Sequence, residues 1–211
     1  MKKSFLIMVA LVSFTTFAFA GGDQNQNRHD GELGEGPTNQ VRIDNPNQDT
    51  LQVRQLTDEQ KEIIYEIYEE EKLARDVYRT LGDMYPEENT FANIQLSEQT
   101  HMDAVRNLCD KHGIEIKLDS DPGGDETGVF TISRMQDFYA TVYEDFVYPG
   151  TGSLLDALNV GIQIETMDID DLGSALVGMP KDVVKVFNNL ISGSVNHLDA
   201  FTTAIERETS Q

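Results

Sequence analysis

A glutamate and a histidine stand three residues apart in the segment Glu98-x-x-His101. On a helix, this spacing turns the carboxylate and the imidazole toward one point, where both can bind the same cation. The apolar residues Phe91, Ile94 and Val105 fall on the same face, at helical steps of three or four. The pair is therefore predicted to lie in the core of a helical protein rather than on its surface.

Three further helical stretches carry a polar residue inside an apolar stripe. Glu165 stands in one stripe, and His197 stands in another, with Ser194 three residues before it. In the first helical stretch an acidic run interrupts the stripe, and periodicity alone does not decide between Glu70 and Glu71. Each long helix thus contributes a polar site to the predicted core.

A weak internal repeat relates two of these helices. Residues 187–200 match residues 91–104 with five identities in fourteen positions, and the two histidines fall at equivalent places. Ser194 stands where the first copy has Glu98. The repeat indicates two related helix pairs.

Buried carboxylates and imidazoles cost several kcal/mol for each charge that finds no partner. A divalent cation offsets this cost for all of them at once. Oxygen and imidazole ligands suit iron or manganese, with zinc as a further candidate. We expect one or two ions, and the alternative is a buried hydrogen-bond network without metal.

The elements that must position these residues are four long helices, with boundaries set by caps and by helix-breaking residues. They are predicted at residues 57–81, 90–112, 153–172 and 180–206. The middle connection is predicted to hold a short β-hairpin within 114–131 and a short helix at 133–148. The expected fold is an all-α four-helix bundle with a crossover connection.

The chain ahead of the bundle divides into two segments. Residues 1–20 combine two lysines, an apolar run and a small-residue ending, which predicts a signal peptide and an exported, periplasmic or secreted protein. Residues 21–56 are polar and rich in Asn, Gln and Gly, which predicts a disordered linker. The domain is then expected at 57–208, with no membrane span in the mature chain.

The net charge of −21 comes from 37 acidic against 16 basic residues. Such a surface repels nucleic acid and attracts cations, so nucleic acid is excluded as the expected partner. Cys109 is the only cysteine, so the domain has no internal disulfide and depends on its core or on a metal. An oligomer is compatible with this composition.

Several segments together resemble a ferritin-like family, the family of domain of unknown function 2202, which has rubrerythrin-type relatives. The matching segments are Glu70 to Tyr78, Phe91 to Ile94 with Ser97 to His101, Ala157 to Gly161 with Glu165, Asp168 and Ile169, and Gly193 to Leu198. In the rubrerythrin-type pattern the first ligand is a Glu with Ala three residues on and Tyr seven on. Glu71, Ala74 and Tyr78 match it, so the resemblance favours Glu71 over Glu70.

The resemblance implies a set of metal ligands in this chain. They are Glu71, Glu98, His101, Glu165 as the bridging carboxylate, and His197. The departure is Ser194, which stands where the di-iron pattern has a second Glu. Asp168 lies one turn beyond Glu165, and it is expected either to compensate as a ligand or to accept a hydrogen bond from an imidazole.

The resemblance also implies a function, an iron-dependent oxidase or peroxidase that acts with oxygen or peroxide. The first alternative is a bundle that sequesters or senses a metal without turnover, which the serine at position 194 favours. The second alternative is a structural or interaction module without metal. Ferritin-like bundles host several functions, so the fold alone does not select among them.

Overall fold

The structure, a computed structural model, describes residues 55–146 and 152–210, with the backbone alone for 143–146. The predicted signal peptide and nearly all of the predicted linker lie outside these residues. Five helices and one short 3₁₀ helix make up the described chain. They are α1 (Asp58–Met84), α2 (Asn89–His112), the 3₁₀ helix (Lys117–Ser120), α3 (Ser133–Phe146), α4 (Leu154–Ala175) and α5 (Lys181–Thr209).

The long helices begin within one residue of the predicted starts, whereas α1, α4 and α5 each end three residues beyond the predicted ends. Thr57 caps α1 in a capping box with Gln60, and Ser153 caps α4 in the same way. Gly113 ends α2 in the left-handed conformation at φ 64°. Pro180 stands directly before α5. The prediction of an all-α protein is confirmed.

The four long helices form two packed pairs, α1 with α2 and α4 with α5. The pairs meet where α2 packs against α5 and α1 packs against α4, while α3 packs against α1. This is a bundle-like arrangement of the helices. None of the helices in the described part of the chain is long and apolar enough to cross a membrane.

The apolar core is divided into two clusters by a layer of polar side chains. One cluster takes residues 64–68 of α1 and 183–190 of α5, and the other takes residues 73–81 and 201–204 of the same helices. The polar layer lies between them along each helix. Leu56, which the sequence analysis assigns to the linker, is buried in the first cluster.

The predicted β-hairpin is wrong, because residues 114–131 contain turns and the 3₁₀ helix and no strand. The backbone of this segment bonds to itself only in local turns, and several of its other groups bond to side chains of α1. Gly128 N donates to Asp76 Oδ2 at 3.0 Å, Thr131 N donates to Glu69 at 3.1 Å, and the carbonyl of Glu126 accepts from Lys72 Nζ at 2.8 Å. With these groups satisfied by buried charges, no partner strand is needed.

Candidate metal centre

Glu98 lies between two imidazoles at the middle of the polar layer. Its Oε2 is 2.9 Å from Nδ1 of His101, and its Oε1 is 2.8 Å from Nδ1 of His197. The carboxylate is 1% exposed, and the imidazoles are 9% and 7% exposed. The two rings stack with centroids 5.3 Å apart. Each oxygen of one carboxylate therefore faces a different histidine.

A second carboxylate stands beside each histidine. Glu71 Oε2 lies 3.1 Å from Nδ1 of His101, and Glu165 Oε2 lies 3.4 Å from Nδ1 of His197. The result is two half-sites, each with one imidazole, one carboxylate of its own and one oxygen of Glu98. The resemblance gives the bridging place to Glu165, whereas in this geometry Glu98 is the residue that faces both imidazoles.

Three buried polar atoms of this cluster form no hydrogen bond of regular geometry within the described residues: Glu71 Oε1, and the pair Glu98 Oε1 and His197 Nδ1, which lie 2.8 Å apart. Buried groups of this kind are nearly always paired in native proteins. One ligand atom from each of Glu98, His101 and His197 lies within 4.8 Å of the others, which is close enough for one ion to contact all three. The orphaned atoms and the donor set fit a cation.

Burial is the main cause of the pKa shifts of the outer carboxyls. Burial, followed by repulsion from Asp168 and Glu98, raises the pKa of Glu71 well above its usual range. Burial also raises the pKa of Glu165 to about 7. Both carboxyls therefore hold their protons more strongly than exposed acids do, and a nearby cation would reverse this.

Contacts within the cluster set the direction of the pKa shifts of the two central groups, Glu98 and His197. Burial alone would raise the pKa of Glu98, but its contacts with His101 and His197 outweigh burial and hold the pKa at about 2. Burial alone would lower the pKa of His197, and its contacts with Glu165 and Glu98 outweigh burial and raise it to about 10. Glu98 is therefore the carboxyl of the centre whose pKa is lowered, while those of Glu71 and Glu165 are raised.

Neighbouring hydroxyls hold the outer atoms of these side chains. Tyr78, which is fully buried, donates from its hydroxyl to Glu165 Oε1 at 2.7 Å. Ser97 Oγ lies 2.8 Å from Nε2 of His197. With Nε2 bound to Ser97, Nδ1 is the nitrogen of this imidazole that faces the carboxylates. A hydrogen bond of this kind fixes the orientation of a ligating histidine.

Glycine at position 193 allows α5 to pass close to His101. A Cβ built on Gly193 would lie 2.4 Å from Nε2 of this imidazole, closer than real Cβ atoms approach a neighbour. Sequence reasoning did not assign a role to Ser97 or Gly193, because it selected polar residues on the core stripes. The sequence did contain a signal for these two residues, because Ser97 directly precedes Glu98 and Gly193 directly precedes Ser194, and both of the following residues lie in the core stripes.

The structure brings together five residues that the sequence analysis selects as ligands, and it separates the two acids that periodicity left open. Glu71 is 1% exposed and contacts His101, whereas Glu70 pairs with Arg134 at 2.6 Å on α3. Asp168 accepts a hydrogen bond from Ser194 at 2.5 Å instead of bonding to an imidazole. The five that meet are Glu71, Glu98, His101, Glu165 and His197.

The fold and the site define a class, an all-helical protein with a buried cluster of glutamates and histidines between its helix pairs. A family model described as Uncharacterized protein domain (DUF2202) matches residues 59–211, and the chain belongs to this family.

Two comparisons extend this result. The uncharacterized protein MJ0754 of Methanocaldococcus jannaschii is 41% identical over 153 residues, which span 72% of this chain and 78% of the relative. The crystal structure of hypothetical protein MJ0754 from Methanococcus jannaschii is similar with a TM-score of 0.65 at 39% identity, over 73% of this chain and 83% of that chain. Both names leave function open, so the site must carry the functional argument.

Proposed function

We propose that this protein is a ferritin-like bundle that binds divalent cations, iron foremost, between its two helix pairs. The observation that carries the proposal is the buried cluster in which Glu98 contacts both imidazoles and Oε1 of Glu71 has no partner among the described residues. A metal-free network of buried polar groups is expected to pair its members. The unpaired oxygen, together with ligand atoms that converge within 4.8 Å of one another, favours a bound cation.

The charge of the layer supports the same conclusion. The cationic side chains that pair with acids of α1 are engaged outside the cluster: Lys72 and Arg75 pair with Asp76, and Arg134 pairs with Glu70. The carboxylates of the centre therefore have only imidazoles as countercharges within the described residues. Carboxylate oxygen with imidazole nitrogen is the donor set that suits iron and manganese, and zinc also accepts it.

Bound iron would supply redox chemistry with oxygen or peroxide, and this is the activity that we propose for the site. The chain's own part is to hold the ion in a buried polar layer between two apolar clusters. Glu165 is held by the Tyr78 hydroxyl, and the imidazole of His197 is held by Ser97. Burial raises the pKa of Glu71 and of Glu165, and a bound cation would favour the ionised form of both carboxyls.

A second candidate function is metal sequestration or sensing without turnover. Ser194 favours this function, because a hydroxyl at this buried position is a weaker ligand for a hard cation than a carboxylate is. Both functions share the site and differ in what happens after binding.

Two measurements test the proposal in order. Elemental analysis of gently purified protein, together with the melting temperature before and after iron or manganese is added, tests binding, because a bound ion stabilises the folded state. If the protein contains no metal and its melting temperature does not rise, the result supports the metal-free structural or interaction module. Ferrous protein prepared without oxygen is then exposed to oxygen or peroxide, and the absorbance is followed. Repeated turnover supports the oxidase or peroxidase, and inert binding supports sequestration.

Export is part of the proposal and rests on the composition of residues 1–20. We expect the mature chain to begin at Gly21 outside the cytoplasm. Cell fractionation with N-terminal sequencing tests this, and a cytoplasmic protein that retains these residues would contradict it.

A further inference from the structure

Asp168 on α4 and Ser194 on α5 are joined by a hydrogen bond beside the cluster. Ser194 Oγ donates to Asp168 Oδ2 at 2.5 Å, and the same hydroxyl also lies 3.0 Å from the carbonyl of Leu190. Ser194 is 1% exposed. The hydroxyl therefore lies inside the protein and orients a carboxylate that comes from another helix.

The other oxygen of Asp168 stays available. Within the described residues Oδ1 takes part in no hydrogen bond, and Asp168 forms no ion pair with a lysine or arginine. Asp168 follows Glu165 by three residues on α4, so both carboxylates project from the same face of the helix. A free oxygen thus remains beside the centre.

The hydrogen bond between Ser194 and Asp168 lies at the level of the centre. Ser194 precedes His197 by three residues on α5, as Asp168 follows Glu165 by three residues on α4. The bond therefore joins the same two helix faces that carry Glu165 and His197, whose side chains lie 3.4 Å apart. Asp168 and the carboxylates of the centre thus form one acidic unit.

The charge count of this unit suits two ions. Glu71, Glu98, Glu165 and Asp168 carry four negative charges when ionised, and neutral imidazoles add none. Two divalent cations balance four carboxylates, and buried charge is tolerated when it is balanced. The two half-sites provide one place for each ion.

We propose that Asp168 supplies the fourth carboxylate of a two-cation centre and that Ser194 is the positioning residue that directs it there. This inference rests on the proposed function and adds the number of ions and the source of the fourth carboxylate. Helix α4 then contributes two carboxylates, Glu165 and Asp168. Helix α5 contributes one imidazole and the hydroxyl that holds Asp168.

Titration of the metal-stripped protein with Mn²⁺ tests the inference, with the electron paramagnetic resonance signal of free Mn²⁺ giving the stoichiometry and affinities. We expect two bound ions for the wild type and for the control Asp170→Asn, which changes an exposed acid on the same helix. Asp168→Asn should bind one ion and lose at least ~100-fold in affinity for the second. Ser194→Ala should keep two ions with the second bound roughly tenfold more weakly.

A rescue variant separates ligation from simple structural damage. Asp168→Asn combined with Ser194→Glu returns a carboxylate to the layer from α5, and we expect it to restore the second ion. A variant that only damaged packing would not be restored by a larger side chain at this buried position.

The outcomes distinguish this inference from the proposed function. Two ions of unchanged affinity in both Asp168→Asn and Ser194→Ala would overturn the inference while leaving the metal site in place. A wild type that binds one ion would also overturn it. A wild type that binds no ion would overturn the proposed function itself. If Asp168→Asn does not fold, Ser194→Ala still decides, since unchanged affinity there removes the positioning role.

Discussion

Oε1 of Glu98 lies 2.8 Å from Nδ1 of His197, and Oε2 of the same carboxylate lies 2.9 Å from Nδ1 of His101. One carboxylate therefore faces both imidazoles. A cation that contacts the two nitrogens would contact Glu98 as well, because these ligand atoms lie within 4.8 Å of one another. Glu98 is therefore the side chain on which binding should depend most.

Replacing Glu98 by glutamine tests this dependence. Glu98→Gln keeps the shape of the side chain and removes the charge that faces both imidazoles, so we expect tight binding of Fe²⁺ or Mn²⁺ to be lost. Calorimetric titration measures the loss. Glu62→Gln, an exposed position on α1, is the matched control and should bind as the wild type does. Equal affinities of the two variants would place the ion elsewhere.

The hydroxyl of Ser97 is expected to tune the affinity of His197. Ser97→Ala removes the partner of Nε2, so the imidazole loses its fixed orientation, and we expect metal affinity to fall by roughly 10- to 100-fold. Ser192→Ala on α5 is the control, because its hydroxyl is exposed and bonds only to the helix backbone. Calorimetric titration of both variants would show the difference, and an unchanged affinity in Ser97→Ala would exclude a positioning role.

Gly193 should tolerate no side chain. Gly193→Ala places a Cβ 2.4 Å from His101 Nε2, so the ring or α5 must shift, and we expect at least ~10-fold weaker metal binding. Gly173→Ala on α4 meets nothing within 4 Å and should bind normally. It should also raise stability by about 0.5–1 kcal/mol, as alanine does within a helix. Thermal melts and titrations of the pair check both effects, and equal behaviour would contradict the close approach.

Metal binding should strengthen as the pH rises. Without a cation, the pKa of Glu165 is raised to about 7 and that of His197 to about 10, so both groups hold protons that the cation must displace. We expect affinity to increase from pH 6 to pH 8 with release of protons. Calorimetry in two buffers of different ionisation enthalpy measures that release. An affinity that is constant over this range would contradict the expectation.

The same two groups give the metal-free fold a pH dependence. Glu165 contributes stability below its ordinary pKa of 4.5, and this is lost as the pH rises through about 7. His197 contributes stability below 6.5, and this is lost as the pH rises through about 10. The rise in melting temperature on adding Mn²⁺ should therefore be larger at pH 8 than at pH 5.5. The reverse order would show that these groups do not control the site.

The buried ion pair that holds the crossover segment should be important for stability. Asp76→Asn leaves the fully buried Lys72 without its countercharge and weakens the contact to Gly128, so we expect a loss of about 3–5 kcal/mol in the free energy of unfolding. Chemical denaturation measures it. The control Asp83→Asn is exposed on the same helix and should change stability by less than about 0.5 kcal/mol. Equal midpoints for the two would show that the pair contributes little.

Helical periodicity was sufficient to predict much of this protein. It placed Glu98, His101, Glu165 and His197 on core stripes, because residues three or four apart share a helix face whatever that face packs against. Local capping chemistry marked the helix starts, as the Thr57 box shows. These features depend on neighbours in sequence, so the sequence alone contains them.

The prediction failed for residues 114–131, where alternating apolar residues suggested a hairpin. Ile116 and Leu118 are buried as the alternation requires, but the segment reaches the core as turns and a 3₁₀ helix. Besides bonds within its own turns, its backbone bonds to the side chains of Glu69 and Asp76, more than 50 residues away along the chain. Alternation reports burial, and it does not reveal which partner satisfies the backbone.

Three consecutive acids on α1 show most clearly where prediction from the sequence ends. Successive helix residues point about 100° apart, so each acid meets a different neighbour. Glu69 binds the crossover at Thr131, Glu70 pairs with Arg134, and Glu71 faces His101. The sequence by itself determined that acids stand at this level of the helix. Only the tertiary structure decided which of them enters the centre, because the partners arrive from distant parts of the chain.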